Sequence, residues 1–416
     1  MTTHVRYALR TLAGPWAALV VLGVDAGIAT MRQAPYLGEG MWTVRWMALG
    51  LWIIWPVVAA TAAVDAARLT RPGARHLPFT TRRGRREYAW AAAWTAVPAA
   101  GAHVAVIAAG LIVGGVAEPR VGWGPIVLAV VAHCSTLVWF AALGSFVGRC
   151  VSPLLAGILA AGTAFALSYL LTNVGAATAT FEVLGDQGAS ISQIGVTWNV
   201  THLLVQSAVL LATAGIMVMA RPVQRSAIVT PGIAWMTAAL VTASIVIVAP
   251  RAVAGEPLTA APQAPDDCSG SAPVMCVYPE HRRYSGPTLA AVDALVAAAR
   301  DAQYDSLVPT RVEESSRRYD AADGRGVMSL PILEPGPTDT PALVQRLLMP
   351  GWCAELSADT PPPDAYFAAL ESLVFTWTGL VDEPYDPMAS GLTPLSPDEV
   401  ERVMSAWSVC DLSAAP

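Results

Sequence analysis

Residues 124–148 read GPIVLAVVAHCSTLVWFAALGSFVG, an apolar run that contains no Asp, Glu, Lys or Arg. About 20 residues of helix cross the hydrocarbon core of a bilayer, so a run of 18 or more apolar residues predicts a membrane span. Six further runs of this kind lie at roughly 12–31, 46–66, 89–116, 152–174, 199–220 and 228–249. The sequence therefore predicts an α-helical polytopic membrane protein with about seven transmembrane helices.

The composition of the whole chain agrees with that class. Of its 416 residues, 54% are hydrophobic and only 13% are charged, with a mean hydropathy of +0.49. Soluble proteins carry about 25% charged residues. All 25 basic residues are arginine. A phosphate-binding loop of the G-x-x-x-x-G-K-[ST] kind needs a lysine, so this chain does not hydrolyse nucleotides by that route.

Arginines in the connections predict the orientation, because cytoplasmic connections of membrane proteins are enriched in basic residues. The connection 68–88 between the second and third runs carries seven arginines. The connections after the first, third and fifth runs are poorer in arginine. We therefore expect the N-terminus in the cytoplasm of the cell. Seven spans then place everything after about residue 250 outside the cytoplasm.

The charge divides the chain into two parts, with a net charge of +8 for residues 1–227 and −14 for residues 228–416. We expect a six-span membrane domain at 1–227, a seventh transmembrane helix at 228–250, a Pro/Ala-rich linker at 251–267 and an extracytoplasmic domain at 268–416. The first run carries Asp25 and lacks a small-x-small cleavage site, so we expect it to be retained as a span.

The last domain is predicted to be mainly α with a little β. Apolar residues recur at helical spacing in four segments, which are 287–303, 340–357, 362–378 and 396–410. Pro287 is expected in the first turn of its helix, whereas Ser396 could cap a helix that begins at Pro397. Extended stretches at 307–315 and 326–333 could form a small hairpin.

Six cysteines divide by environment. Cys134 and Cys150 lie in or beside the fourth run, where cysteine usually behaves as a small hydrophobe. Four more lie in the last domain, and an even number in an oxidising compartment predicts two disulfides. Three pairings are possible, of which we favour Cys268–Cys276 and Cys353–Cys410. No C-x₂₋₄-C pair is present, so a zinc site is not expected.

Ionisable residues inside predicted spans are costly and are therefore candidates for function. Asp25 lies in the first run, His103 in the third and His133 in the fourth, whereas Asp65 lies at the end of the second, where we expect easy solvation. A proton relay would need these groups to pair, which a sequence does not show. Two small-residue patterns, Gly110 to Gly114 and Gly157 to Gly162, predict close helix packing.

The basic connection 68–88 has an internal order. A short polar segment leads to Leu77-Pro78-Phe79, then to the arginines, then to Glu87 at the start of the third run. This arrangement resembles the cytoplasmic loop of type-two ABC exporter permeases, and residues 1–222 resemble the six-span core of that family. The seventh run and the last domain depart from that core and leave the cargo open.

The resemblance implies a function and a set of partners. In that family the loop docks into a separate cytosolic ATPase, so ATP and Mg would be bound by the partner and this chain would hold no cofactor. It also implies a second permease copy, as a homodimer or with a related permease, in the lipid bilayer and without nucleic acid. The residues expected to contact the ATPase are Leu77, Pro78, Phe79, Arg82, Arg83, Arg85, Arg86 and Glu87.

The last domain offers little chemistry. Its densest polar stretch, CVYPEHRRY at 276–284, resembles uncharacterised actinobacterial permease-associated domains, which implies no activity. H-E-x-x-H and G-x-S-x-G are missing from the chain. We therefore expect no catalytic or metal-binding residue, and this stretch is expected to form a packed turn after a disulfide loop.

Two other functions stay open. One is a non-transporting membrane-anchored sensor or scaffold whose last domain binds a ligand or a protein. The other is a membrane enzyme, which would require a paired polar site in the bilayer. Retention of function after replacement of His103 and His133 would exclude the enzyme.

Overall fold

The computed structural model describes residues 9–31, 36, 38–69, 82–116, 119–177, 191–219, 244–246, 248–316, 326–333, 337–350, 353, 363–382, 385 and 392–414. The chain divides into two compact units. The helical unit comprises residues 1–193 and 197–259, and the C-terminal unit comprises residues 194–196 and 260–416.

The described part of the helical unit consists almost entirely of apolar helices. They are α1 (Gly14–Thr30), α2 (Gly40–Ala48), α3 (Leu51–Leu69), α4 (Arg82–Val113), α5 (Trp123–Cys150), α6 (Pro153–Ala177) and α7 (Val200–Met219). Strand β1 (Val196–Trp198) precedes α7 and pairs with β2 (Leu258–Ala260).

Five of these helices, α3 to α7, are long and apolar enough to cross a membrane. Helix α1, at 17 residues, is just shorter, and a further apolar helix, Ser244–Ala254, follows the residues that are not described. This fold is that of a helical membrane protein. Most of the expected seventh span, at 228–250, lies outside the described residues.

The second predicted span is divided in two. A continuous helix was expected over 46–66, but α2 ends at Ala48 and α3 begins at Leu51. Gly50 lies at the break, and its carbonyl accepts the first backbone hydrogen bonds of α3 from Ile53 and Ile54. Every residue of α2 is buried. Helix α2 carries Thr43 and Arg45 as well as apolar residues, and because all of it is buried it packs inside the unit rather than on its surface.

Helices α3 and α5 pack against each other and approach closely at two glycines of α5. A Cβ added to Gly144 would lie 2.0 Å from the carbonyl oxygen of Ala59, and one added to Gly148 would lie 2.2 Å from that of Ala63. This pair was not among the predicted small-residue patterns. Among the glycines of those patterns, a Cβ added to Gly110 or Gly157 would lie 3.2 or 3.1 Å from its nearest neighbour. A Cβ added to Gly162 would have nothing within 4 Å.

The C-terminal unit combines a sheet with helices. Its elements are β3 (Asp267–Ser269), β4 (Val274–Val277), α8 (Arg282–Asp301), β5 (Arg311–Glu314), β6 (Val327–Leu330), α9 (Thr340–Leu348), α10 (Asp364–Gly379) and α11 (Pro397–Trp407). Strands β3 to β6 form one sheet in sequence order. Apolar side chains from the sheet and the helices meet in one core that includes Val312, Leu373 and Trp377.

The expected hairpin is wrong. Strands β5 and β6 pair in parallel, with Arg311 opposite Val327, and β4 pairs with β5 in parallel as well. A parallel pair needs a crossover connection rather than a tight turn, and the chain has twelve residues between Glu314 and Val327 for it. The C-terminal unit is therefore mixed α/β, with a four-stranded sheet in place of the small hairpin.

Several element bounds also differ from expectation. Helix α8 begins at Arg282, so Pro287 lies inside it and not in its first turn. Helix α9 ends at Leu348, because Met349 takes an extended conformation and precedes Pro350, and a residue before proline is disfavoured in a helix. The expected linker 251–267 contains β2 and the start of β3.

The cap of α11 agrees with the prediction: Ser396 is the N-cap and Pro397 the first helical residue. The backbone amide and the hydroxyl of Ser396 donate to the Glu399 carboxylate. These two hydrogen bonds hold the pKa of Glu399 below its usual value. The sequence pattern of Ser followed three residues later by Glu thus fixes this helix start.

Both cysteine pairs that the sequence favoured are bonded in the C-terminal unit. Cys268 and Cys276 lie opposite each other across β3 and β4. Cys353 and Cys410 join the segments that follow α9 and α11. Cys134 and Cys150 on α5 are free thiols. Disulfides form and persist in oxidising compartments, and the two bonded pairs are compatible with such an environment for the C-terminal unit.

We expect the two disulfides to differ in their contribution to stability. The pairs are separated by 57 and 8 residues. Chain entropy then assigns about 4 kcal/mol to Cys353–Cys410 and about 2.5 kcal/mol to Cys268–Cys276. Urea unfolding of the full chain in detergent can be monitored by protease cleavage of the C-terminal unit. The loss in free energy of unfolding should be larger for Cys353→Ala/Cys410→Ala than for Cys268→Ala/Cys276→Ala. Equal losses would contradict this order.

Candidate functional site

Three ionisable side chains from three helices meet inside the helical unit. Asp25 lies on α1, His103 on α4 and His133 on α5. Asp25 Oδ2 is 2.8 Å from His103 Nδ1, and His103 Nε2 is 3.1 Å from His133 Nδ1. The three residues form one continuous hydrogen-bonded chain, which we call the Asp–His–His chain. The sequence identified each member singly, and the fold brings all of them together.

All three members of the Asp–His–His chain are buried. Asp25 and His103 are 0% exposed, and His133 is 3% exposed. A buried charge is costly unless it is paired and hydrogen-bonded. Asp25 is therefore tolerated because His103 contacts it, and His103 is in turn held by His133. The ring planes of the two histidines are tilted by 45°, with centroids 5.3 Å apart.

The second oxygen of Asp25, Oδ1, has no hydrogen-bond partner among the described residues. It lies against the break between α2 and α3, where a Cβ added to Gly50 would be only 2.7 Å away. A glycine at this position therefore makes room for the carboxylate. The role of Gly50 was not predicted, because the break between α2 and α3 is not visible in the sequence.

Neighbouring hydrogen bonds hold the helices that carry the chain. Trp55 Nε1 on α3 donates to Thr136 Oγ1, which donates to the backbone carbonyl of His133. Trp46 Nε1 on α2 donates to the carbonyl of Ile28 on α1. Polar side chains in apolar helices thus connect α1, α2, α3 and α5 around the site.

A second buried polar cluster lies at the start of α2. The Glu39 carboxylate accepts from the Ser192 hydroxyl at 2.5 Å and from the Gln193 amide nitrogen at 2.6 Å. Arg45 donates to the side-chain oxygen of Gln193. These contacts fix residues 192–193 against α2. Neither Glu39 nor Arg45 was among the site residues predicted from the sequence.

Asp65 was expected to be solvated, but the structure buries it. It is 1% exposed, and its two oxygens accept from the backbone amides of Ala13 and Gly14 at 2.9 and 2.8 Å. These amides lie at the start of α1, where backbone donors lack partners within the helix. Asp65 therefore caps α1 from α3, and Arg68 contacts both Asp65 and the carbonyl of Thr11.

Arg149 satisfies a helix end as Asp65 does, but at a C-terminus and with a positive charge. It donates to the carbonyls of Met217 and Val218, the last turn of α7, and its guanidinium lies 4.9 Å from the ring centroid of Tyr88. Carbonyls at a helix C-terminus lack intrahelical donors and favour a cation. Arg149 and Asp65 are thus explained by helix termini, whereas the Asp–His–His chain is not.

The expected ATPase-contacting segment is described only in part. Leu77, Pro78 and Phe79 lie outside the described residues. The arginines at 82, 83, 85 and 86 lie in the first turns of α4, and Glu87 is exposed. Helix α4 thus starts within the basic connection, five residues before its apolar portion begins at Glu87.

The C-terminal unit buries a Glu–His pair of its own. Glu314 at the end of β5 accepts from the amides of Tyr278 and Leu333, each at 2.9 Å, and contacts His281 Nδ1 at 2.5 Å. Both ionisable side chains are 0% exposed. The CVYPEHRRY stretch thus forms a packed turn that is anchored on the sheet, and His281 is part of the anchor.

A cavity of about 200 Å³ also lies in the C-terminal unit. Its apolar lining includes Val308, Met328, Leu348, Met404 and Trp407. The rings of Trp407 and Tyr366 lie with their centroids 5.0 Å apart and their planes tilted by 40°. Among the described residues neither the indole nitrogen nor the hydroxyl has a hydrogen-bond partner. Burial raises the pKa of the Tyr366 hydroxyl.

The Asp–His–His chain contains one carboxylate and two imidazoles, groups that can bind and release protons. Within the described ranges, no three His, Cys, Asp or Glu side chains are grouped so as to hold a metal ion. The Asp–His–His chain ends in a second imidazole rather than in a hydroxyl or thiol nucleophile. It therefore has the pairing that a membrane enzyme would require, but it does not have the nucleophile of an acyl-transfer triad.

Comparisons with family models, curated proteins and solved structures gave no match for this chain.

Proposed function

We propose that this chain is the membrane subunit of an ATP-driven exporter, and that residues 68–88 couple it to a separate cytosolic ATPase. The observation that carries the proposal is the course of α4. Its 32 residues span about 48 Å, whereas the hydrocarbon core is about 30 Å thick. The excess carries the arginines at 82–86 beyond the apolar portion.

The basic connection follows α3 and leads into α4, the position at which type-two exporter permeases contact their ATPase. An acidic or amphipathic groove on the partner would bind a segment with seven arginines and Leu77-Pro78-Phe79 at its centre. ATP and Mg would be held by the partner, and catalysis would take place there. Closure of the ATPase would push on this segment and tilt α1, α3 and α6, which form the first, second and fifth spans.

The orientation belongs to the same proposal. The N-terminus and residues 68–88 would lie in the cytoplasm, seven spans would cross the cell membrane, and the disulfide-bonded C-terminal unit would lie outside. Its role would be to receive, gate or shield the cargo, or to bind an extracytoplasmic partner. Two disulfides in that unit support its placement in an oxidising compartment.

A second permease copy is part of the proposal. Helix α6 exposes large apolar side chains along its length, with Leu154 at 90% and Ile158 at 71% exposure. Lipid or a neighbouring helix must cover such a face in a membrane. A homodimer or a pair with a related permease would bury part of it, and the bilayer would cover the rest.

The coupling can be tested by charge reversal. We expect that an ATPase co-purifies with the wild-type chain from native membranes, and that Arg82→Glu/Arg83→Glu/Arg85→Glu/Arg86→Glu reduces its recovery at least tenfold. The reason is that four attractions to the partner become repulsions. The measurement is nucleotide hydrolysis per mole of purified chain, with membrane level and thermal stability measured in parallel.

The control reverses Arg221 and Arg225, two arginines in another connection that is expected to face the cytoplasm. This variant should retain the ATPase. Recovery of no ATPase with the wild type, or equal recovery with all three chains, would contradict the exporter function.

The second candidate is a membrane-anchored sensor or scaffold. The cavity in the C-terminal unit favours it, because small-molecule sites are mostly apolar and concave with few polar groups. This candidate predicts that substitution of Met404 and Met328 by tryptophan, which fills the cavity, abolishes function while the arginine variant is fully active. The exporter predicts loss of function with the arginine variant.

A further inference from the structure

We infer that Asp25, His103 and His133 form a single proton-binding site inside the helical unit. Its ligand is a proton delivered by water, and the three side chains gain and lose that proton together. This inference goes beyond the proposed function and does not depend on an ATPase, since it rests only on contacts within this chain.

The first step is the continuity of the chain. Both nitrogens of His103 are engaged, Nδ1 with Asp25 at 2.8 Å and Nε2 with His133 at 3.1 Å. A neutral imidazole has one donor nitrogen and one acceptor nitrogen. Neutral His103 therefore donates to Asp25 and accepts from His133, whereas cationic His103 donates to both. The same heavy-atom geometry fits either number of protons.

The second step is the transfer itself. In the unloaded state Asp25 is a carboxylate, His103 carries its proton on Nδ1 and His133 carries its proton on Nδ1, for a net charge of −1. A proton from hydronium forms an N–H bond at His133 Nε2, and the proton on His133 Nδ1 passes to His103 Nε2. Asp25 then faces cationic His103, His133 is neutral again, and the net charge is zero.

The third step is the energetic reason for uptake. The unloaded chain holds an uncompensated charge at 0% exposure, which an apolar interior disfavours strongly. The loaded chain replaces it with an ion pair. His133, at 3% exposure, is the only member that retains contact with the surface of the described structure, so it is the member that exchanges protons with water.

The charged and titratable groups on the surrounding helices do not neutralise the negative charge of the unloaded Asp–His–His chain. On α2, Arg45 donates to Gln193, and Glu39 is bonded to Ser192 and Gln193. On α3, Asp65 and Arg68 contact the start of α1. The thiol of Cys134 is next to His133 on α5. The described part of α6 supplies Tyr169 alone, and α7 supplies His202, bonded to the carbonyl of Gly255.

The consequence is a helix contact whose strength depends on the proton. Asp25 is on α1, whereas the two histidines are on α4 and α5. Loading creates an ion pair between α1 and α4, and unloading leaves a neutral imidazole against a carboxylate. The carboxylate oxygen Oδ1, which has no partner among the described residues, faces the α2–α3 break. Proton uptake would therefore strengthen the contact between α1 and α4, beside this break.

The test uses the full chain in lipid nanodiscs and infrared difference spectra between pH steps. Wild type should show carboxylate and imidazole bands that change together, with one common midpoint. Asp25→Asn should abolish the carboxylate change. His133→Gln should displace the midpoint of the remaining Asp25–His103 bands, because a group in the relay is lost rather than a structural contact.

Asp65→Asn and His202→Gln are the matched controls, since each removes a buried ionisable group of the same type outside the chain. Both should leave the common midpoint where it is in the wild type. The inference is overturned if the bands of Asp25 and the histidines change at unrelated midpoints, if they do not change with pH, or if His133→Gln leaves the midpoint of Asp25 and His103 in place.

A measurement on the wild type alone covers the case in which a variant does not fold. Nitrogen-15 spectra of histidine-labelled protein report which nitrogen carries the proton. On acidification one histidine should become cationic while a second changes from the Nδ1–H to the Nε2–H tautomer at the same midpoint. Spectra in which no two histidines show this coupled change would overturn the inference without any substitution.

Discussion

Gly144→Leu is expected to prevent the helical unit from assembling, so that the protein no longer accumulates in the membrane in a folded form. Gly144 on α5 faces the backbone of α3, where its missing Cβ would lie 2.0 Å from the carbonyl oxygen of Ala59. Ordinary contacts of this kind begin at 3.4 Å. A leucine would force the two helices apart along their whole shared length.

A graded series makes the expectation quantitative. Gly144→Ala and Gly148→Ala each introduce one Cβ against a carbonyl on α3. We expect each to cost about 3 kcal/mol, the upper end of the range for overpacked cores, because backbone cannot rotate away as a side chain can. Thermal unfolding in detergent, monitored by size-exclusion chromatography, measures the loss.

The chain supplies its own controls for this series. Nothing lies within 4 Å of a Cβ added to Gly101 on α4 or Gly162 on α6. Alanine at these positions should be neutral or should stabilise by up to about 1 kcal/mol, since glycine is a poor helix former. Equal destabilisation at all four glycines would mean that the close approach of α3 and α5 is not the cause.

Glu314→Ala is expected to unfold the C-terminal unit while the helical unit stays folded. The Glu314 carboxylate satisfies two backbone amides and one imidazole in a region without solvent. Its removal leaves three buried donors without an acceptor. The expected cost is about 3–5 kcal/mol, which is comparable with the whole stability of a small domain.

Protease cleavage at increasing urea concentration distinguishes the two units. Glu314→Ala should expose the C-terminal unit to cleavage at a much lower urea concentration. Glu314→Gln should fall between it and the wild type, because one oxygen can still accept while the amide group meets a donor. Glu401→Ala, an exposed carboxylate on α11, should change stability by no more than about 0.5 kcal/mol.

The residues of the Asp–His–His chain were predicted one by one, and their pairing was not. An ionisable residue within an apolar run is visible in a sequence, because its cost in lipid does not depend on the fold. Its partner does depend on the fold: Asp25 and His103 are 78 residues apart. The rotation of α1 and α4 about their axes decides whether the two side chains face each other.

The predictions for Asp65 and for the hairpin were wrong for related reasons. The position of Asp65 at the end of an apolar run suggested solvation, but the amides of Ala13 and Gly14 occupy the place of water. Strands β5 and β6 are close in sequence, which suggested a hairpin, but the sheet as a whole pairs them in parallel. In both cases a partner from elsewhere in the chain decides the local structure.

The sequence by itself determined the helical class, the approximate bounds of α1 and α3 to α7 and the start of α11. These features follow from hydrophobic periodicity, local capping and composition, which act over a few turns of chain. The tertiary structure alone decided the break at Gly50, the approach of α5 to α3 at Gly144, the parallel sheet and the Asp–His–His chain. Each depends on which faces of distant segments meet, and packing determines that only when the whole unit is assembled.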